Sequence, residues 1–198
     1  MKTMKTLFAV IIGLFVTNAA IASGNLKVNL ASNEAELTVV EISNANKISE
    51  FEIQLIDAYG EELYRMETKA PRSDLQKRYD LSELEDGVYW YTVKVDKETV
   101  TKKLAVEDGR VDVLDIRKSL EPYITKKDDK LMLTLLNYQE EDVKLYVYDS
   151  NNSLLAEADL GNDFTITKAL DLEELRYGNY EVVIANDLDI FEHRFEVN

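Results

Sequence analysis

The chain has 198 residues, one histidine and no cysteine, which leaves few ways to build a catalytic centre. A nucleophilic triad would have to use His193. That residue alternates in phase with Phe191 and Phe195, a pattern that reads as the rim of an apolar strand face, and no G-x-S-x-G turn accompanies it. Zinc requires several Cys or His ligands, and no glycine-rich phosphate loop is present. Two carboxylates can hydrolyse a glycosidic bond, but with 38 acidic residues such pairs arise everywhere and single out none. The oxygen-rich stretches "NDLD" (186–189), "GND" (161–163) and "KKDD" (126–129) could offer ligands to calcium. None has EF-hand spacing, and solvated acidic turns are the simpler reading. No catalytic, cofactor-binding or metal-binding residue is assigned, and calcium stays open as the one cation the loops could serve. The residues with a binding chemistry are Trp90, Tyr146 and Tyr148. They fall opposite Tyr89 and Val147 in alternating runs, on the phase that ordinarily carries polar groups. Exposed aromatics there stack on a sugar or anchor a protein partner; otherwise they fill an interface between the two halves of the chain or pack over a sheet edge.

The segments that carry these residues have period two. Phe51, Ile53 and Leu55 share one phase, as do Val143, Leu145 and Val147. Tyr89, Tyr91, Val93 and Val95 are matched by Tyr180, Val182 and Ile184. Alternation interrupted by "DAYG", "EDG", "DSNN" and "LGND" predicts half-buried strands joined by turns. Six or seven short strands per segment predict an antiparallel sandwich of immunoglobulin-like type.

The pattern is written twice. "FEIQLIDAYGEELYRME" (51–67) matches "VKLYVYDSNNSLLAEAD" (143–159), setting Asp57 on Asp149 and Leu63 on Leu155. Asp80, Leu81, Leu84, Gly87 and Tyr89 then fall on Asp171, Leu172, Leu175, Gly178 and Tyr180. Duplication of one domain-sized unit is the economical explanation. The repeated D-L-x-x-L-x-x-G-x-Y predicts a corner. The leucines drop into the end of the sandwich, the glycines supply a positive φ, and each tyrosine hydroxyl bonds a nearby loop carbonyl. The expected domains are 23–109 and 110–198, with the alternating "EDGRVDVLDIRKSLE" (107–121) as a strand-like connection between domains in contact.

"MKTMK", the apolar "LFAVIIGLFV" and the small-residue "NAAIASG" make residues 1–22 a signal peptide, with cleavage expected after Ala22. Without Lys2 and Lys5, 21 basic residues face 38 acids, a net charge near −17. Such a surface repels nucleic acid and anionic lipid. An exported chain without cysteine has no disulfides, so burial of its apolar residues, 45% of the composition, must hold each domain.

The order F-x-I-x-L-x-D-x-x-G-x-x-L, then L-x-x-L-x-x-G-x-Y-x-x-x-V, then a last strand such as "TKKLAV", resembles the sorting domain at the C-termini of type IX secretion cargo in Bacteroidetes. It also resembles related small immunoglobulin-like modules secreted by those bacteria. The resemblance covers residues 51–106 and 143–197 and implies export and a non-catalytic β-sandwich. Copy two ends "FEHRFEVN", with acids where that family carries lysines. The expected protein is therefore an exported, non-enzymatic tandem sandwich, periplasmic, surface-bound or secreted, with a protein or glycan partner. The alternatives are type IX cargo and, from another class, a carboxylate-based glycan hydrolase.

Overall fold

The computed structural model describes residues 26–32, 37–44, 48–80 and 84–198. The expected signal peptide, residues 1–22, and Leu81 of the corner lie outside them. Fifteen strands follow one another: β1 (Leu26–Ser32), β2 (Leu37–Asn44), β3 (Phe51–Asp57), β4 (Glu62–Glu67), β5 (Asp74–Asp80), β6 (Gly87–Val95), β7 (Glu98–Glu107), β8 (Arg110–Leu120), β9 (Tyr123–Lys127), β10 (Lys130–Leu136), β11 (Val143–Asp149), β12 (Leu154–Gly161), β13 (Thr165–Asp171), β14 (Gly178–Ala185) and β15 (Ile190–Val197). No helix occurs among the described residues, so none there is long and apolar enough to cross a membrane.

Two units divide between Leu120 and Glu121. In the first, β1-β2-β5 form one sheet and β4-β3-β6-β7-β8 the other. In the second the sheets are β9-β10-β13 and β12-β11-β14-β15. Setting β8 aside, both units place their first, second and fifth strands in one sheet and their fourth, third, sixth and seventh in the other. This is the crossed, all-antiparallel connectivity of an immunoglobulin-like sandwich, written twice as the sequence is.

The cores follow the alternation. In the first domain Ile42 and Leu75 of one sheet share a cluster with Phe51, Ile53, Tyr91, Val93 and Leu104 of the other. In the second, Leu131, Leu133 and Ile166 meet Val143, Leu145, Val182 and Ile184. Paired aspartates Asp57 and Asp149 build equivalent turns. Asp57 Oδ1 accepts the N–H of Tyr59 and Glu61 at 2.8 Å each. Asp149 Oδ1 accepts those of Asn151 and Ser153 at 2.8 and 2.9 Å, and these bonds hold its carboxyl below the ordinary range.

The corner forms in both copies. Tyr89 donates its hydroxyl to the Glu85 carbonyl at 2.6 Å, and Tyr180 donates to Arg176 at 2.8 Å. Leu84, Leu172 and Leu175 join the two cores. The two glycines divide. Gly178 has the expected positive φ, 157°, where a side chain would be strained, whereas Gly87 does not. Each glycine lies beside the tyrosine ring two residues on: a Cβ at Gly87 would sit 3.7 Å from Tyr89 Cε2, and one at Gly178 would sit 3.8 Å from Tyr180 Cε2, both ordinary van der Waals contacts.

The domain boundary also moves. Residues 110–120, expected in the second copy, form β8 along the edge of the first domain. The hairpin turn is Asp108-Gly109, both at positive φ (49° and 73°), the pairing a two-residue type I′ turn requires. Buried Glu98, 7% exposed, receives Lys118 Nζ at 2.5 Å and pins the far end of β8 to β7.

On the inward row of β7 stands Lys102, 6% exposed between Val100 and Leu104. It has no hydrogen-bond or ion-pair partner among the described residues, and burial pushes its amine pKa down. The native state therefore disfavours a charge that the unfolded chain carries freely. That penalty is complete below the depressed native pKa and fades as pH rises toward the unfolded value of about 10.4.

Two predictions follow from this packing. Tyr89→Phe should lower the first domain's stability by about 0.5–1.5 kcal/mol in chemical denaturation, while Gly87→Ala, whose added carbon meets only ordinary contacts, should stay within about 1 kcal/mol of the parent. Lys102→Met should raise that domain's melting temperature at neutral pH, with the advantage over the parent shrinking as the pH is taken toward 10.

Candidate functional site

Fixing the inward row of each strand fixes the outward row as well. On the outer face of the larger sheet of the first domain, Trp90 of β6 lies across from Ile56 of β3 and Lys103 of β7. The indole is half-buried, with Lys103 Nζ 5.8 Å from its centroid. The equivalent row of the second domain is Tyr148 of β11, Glu181 of β14 and Arg194 of β15. Here the aromatic stands one strand over, and β14, at the position equivalent to Trp90, holds a carboxylate bonded to Arg194 Nε at 2.8 Å. That bond raises the guanidinium's already high pKa.

Tyr146 stands two residues before Tyr148 and across from Val183. Both tyrosines are half-buried, with ring centroids 6.5 Å apart and planes inclined by 31°. The structure thus brings Tyr146 and Tyr148 together on one sheet, with Trp90 on the corresponding face of the other domain. Tyr146 also lines a groove of about 620 Å³ with Glu140, Glu141, Asp142, Lys144, Asn162, Ala185, Asn186 and Asp187. At the other end of the sheet a smaller groove, about 380 Å³, runs past Asp149, Glu181 and Arg194. Two adjacent phenol faces bordered by carboxylates and amides can stack on an apolar ligand surface while hydrogen-bonding its rim.

The groove residues at 140–142 were not singled out in the sequence, where "QEED" reads as one more acidic turn. Two of the stretches considered for calcium, 161–163 and 186–189, do reach the groove, but as turns. Asn186 Oδ1 accepts the N–H of Leu188 and Asp189 at 2.9 and 2.7 Å. The third, at 126–129, is a hairpin turn with Asp128 at φ 53°. Among the described residues no three His, Cys, Asp or Glu side chains gather where a metal could sit. His193 is half-buried across from Val182, at the position that Lys102 holds in the first domain.

Residues 22–107 match the family model of the secretion system C-terminal sorting domain. The first copy therefore carries that family's pattern, and a sorting domain of a secretion system implies an exported or cell-surface protein. No curated protein is similar enough in sequence to count as a match. Among solved structures the chain is similar to the BSP domain of a biofilm-associated protein, with 14% identity, a TM-score of 0.30, and coverage of 87% of this chain and 29% of that one. It is also similar to the FN1–FN3 domains of chicken CNTN1, with 7% identity, a TM-score of 0.32, and coverage of 87% and 63%. For bovine butyrophilin the values are 13%, 0.31, 82% and 92%. The chain spans less than two thirds of the first two. The fold itself is fixed by the strand order and the two cores.

Trp90 is the chain's single tryptophan, so its fluorescence reports this face directly. Lys103→Gln should shift its emission and cost about 0.5–1 kcal/mol of first-domain stability, whereas unchanged emission would mean the ammonium does not lie over the ring in solution.

Proposed function

We propose that this protein is an exported, non-enzymatic binding or accessory module of the cell envelope or extracellular space. In this reading the outer face of the β12-β11-β14-β15 sheet is its contact surface for a protein or glycan. The observation that carries it is the pair Tyr146 and Tyr148, alternating on a central strand and opening onto a polar groove at one end. Central strands of a sandwich usually present polar side chains to water, and two neighbouring phenols there lose burial worth about 1–2 kcal/mol each unless a partner supplies it. The acidic fringe, Glu140, Glu141, Asp142 and Asp187, favours neutral or cationic ligands over polyanions.

The match of the first domain to a sorting family favours a second reading, that the protein is type IX cargo or a related surface protein. The two are compatible, since an envelope-binding module must first be delivered. The carboxylate-based hydrolase remains the reading from another class, and it requires turnover as well as binding.

The probe is an array of neutral and amino-sugar oligosaccharides, run beside envelope proteins captured by crosslinking. The parent protein is expected to bind one of these sets. Tyr146→Ala/Tyr148→Ala should weaken that binding roughly tenfold or more while lowering stability by only about 1–2 kcal/mol. Binding undiminished in the double variant, or a parent that retains neither class, removes this face as the contact surface. Release of shortened oligosaccharides during the incubation would favour the hydrolase.

A further inference from the structure

β8 has β7 on one side and no strand on the other among the described residues. Pairing with Val106, Leu104, Lys102 and Val100 puts Val111, Val113, Ile116 and Lys118 on one face; pairing with Ala105, Lys103 and Thr101 puts Asp112, Asp115 and Arg117 on the other. A bulge at Leu114 keeps Val113 and Ile116 on the same face. Val113, Leu114 and Ile116 are 41%, 55% and 59% exposed. An edge strand with this much open apolar surface invites pairing with another strand.

Its own sequence supplies the complement. Two β8 strands laid antiparallel, with the two-fold axis between Leu114 and Asp115, set Val113 of each against Ile116 of the other. The same register sets Asp112 against Arg117, again twice. In a regular strand, residues an odd number apart point to opposite faces, and this register would be forbidden. The bulge restores the phase, so apolar meets apolar and acid meets base. Val113 and Ile116 oppose Leu104 and Lys102, two residues apart on β7, so they also share one hydrogen-bonding direction. Asp115, nearest the axis, is engaged within its own copy: its Oδ1 accepts the Ile116 N–H at 2.8 Å, and Lys103 lies across from it.

We propose that β8 is a self-association edge, through which two copies of this chain join antiparallel into one continuous sheet. Sedimentation equilibrium of the purified protein over a wide dilution series tests it. The parent should approach twice the chain mass as concentration rises. Asp112→Arg and Arg117→Asp each bring like charges together and should weaken association at least about tenfold. Mixed in equal amounts, the two variants should recover it, because the introduced arginine then faces the introduced aspartate and native Arg117 faces native Asp112. Ile116→Lys should leave monomer, with its fold checked by circular dichroism. A parent that stays monomeric throughout overturns the proposal. So does a dimer indifferent to Ile116→Lys, or single charge variants that do not recover on mixing.

Discussion

Apolar contact between two sheets carries each domain, because a chain without cysteine has no disulfide to share the load. Ile53 and Val93 are completely or almost completely buried in the first domain, as Leu145 and Val182 are in the second. Such a contact fixes more than stability. The side-chain period of a strand is two, so a slip of one residue would turn an entire inward row into water. The outward row is therefore as firmly determined as the core. The positions of Trp90, Tyr146 and Tyr148 on their sheets are consequences of burying Tyr91, Val147 and Val182.

Most of the frame could be read from the residues. Alternation in "FEIQLID" and "YWYTVKV" gave the phase of β3 and β6, and the matched tyrosines gave the corner, because a buried hydroxyl has to find an acceptor nearby. The glycines were half legible. Gly178 has the positive φ that the turn pattern implies, but Gly87 does not, and a Cβ there would meet only ordinary contact with the Tyr89 ring. β8 was half legible. Asp108-Gly109 between alternating runs is a strong hairpin signal, yet a connection between repeats reads equally well as the start of the next one. Its V-x-V-x-x-I alternation, read as a strand-like connection, breaks its period at the bulge at Leu114. The groove beside Tyr146 was not legible at all, since "QEED", "GND" and "NDLD" lie far apart in sequence and only the fold gathers them.

Duplication left the frame intact and let the surfaces diverge. The strand-order match, the Asp57 and Asp149 turns and both tyrosine hydrogen bonds recur. The seventh strand carries a basic residue inward in each copy, Lys102 and His193, facing Tyr91 and Val182. In the first copy β8 pairs along that strand and Lys102 is buried; in the second, His193 is only half-covered. Across the outer face, the row Ile56-Trp90-Lys103 of the first copy corresponds to Tyr148-Glu181-Arg194 in the second. Mutations at outward positions cost little stability, so an outer face can change its chemistry while its core holds the register.

Hydrogen–deuterium exchange on the whole protein, with and without envelope extract, tests most directly whether the second domain's outer face makes the contact. Protection should appear in β11 and β14, residues 143–149 and 178–185, and around 140–142, with β9, β10 and β13 unchanged. Protection confined to the β9-β10-β13 sheet, or none anywhere in the second domain, would contradict it.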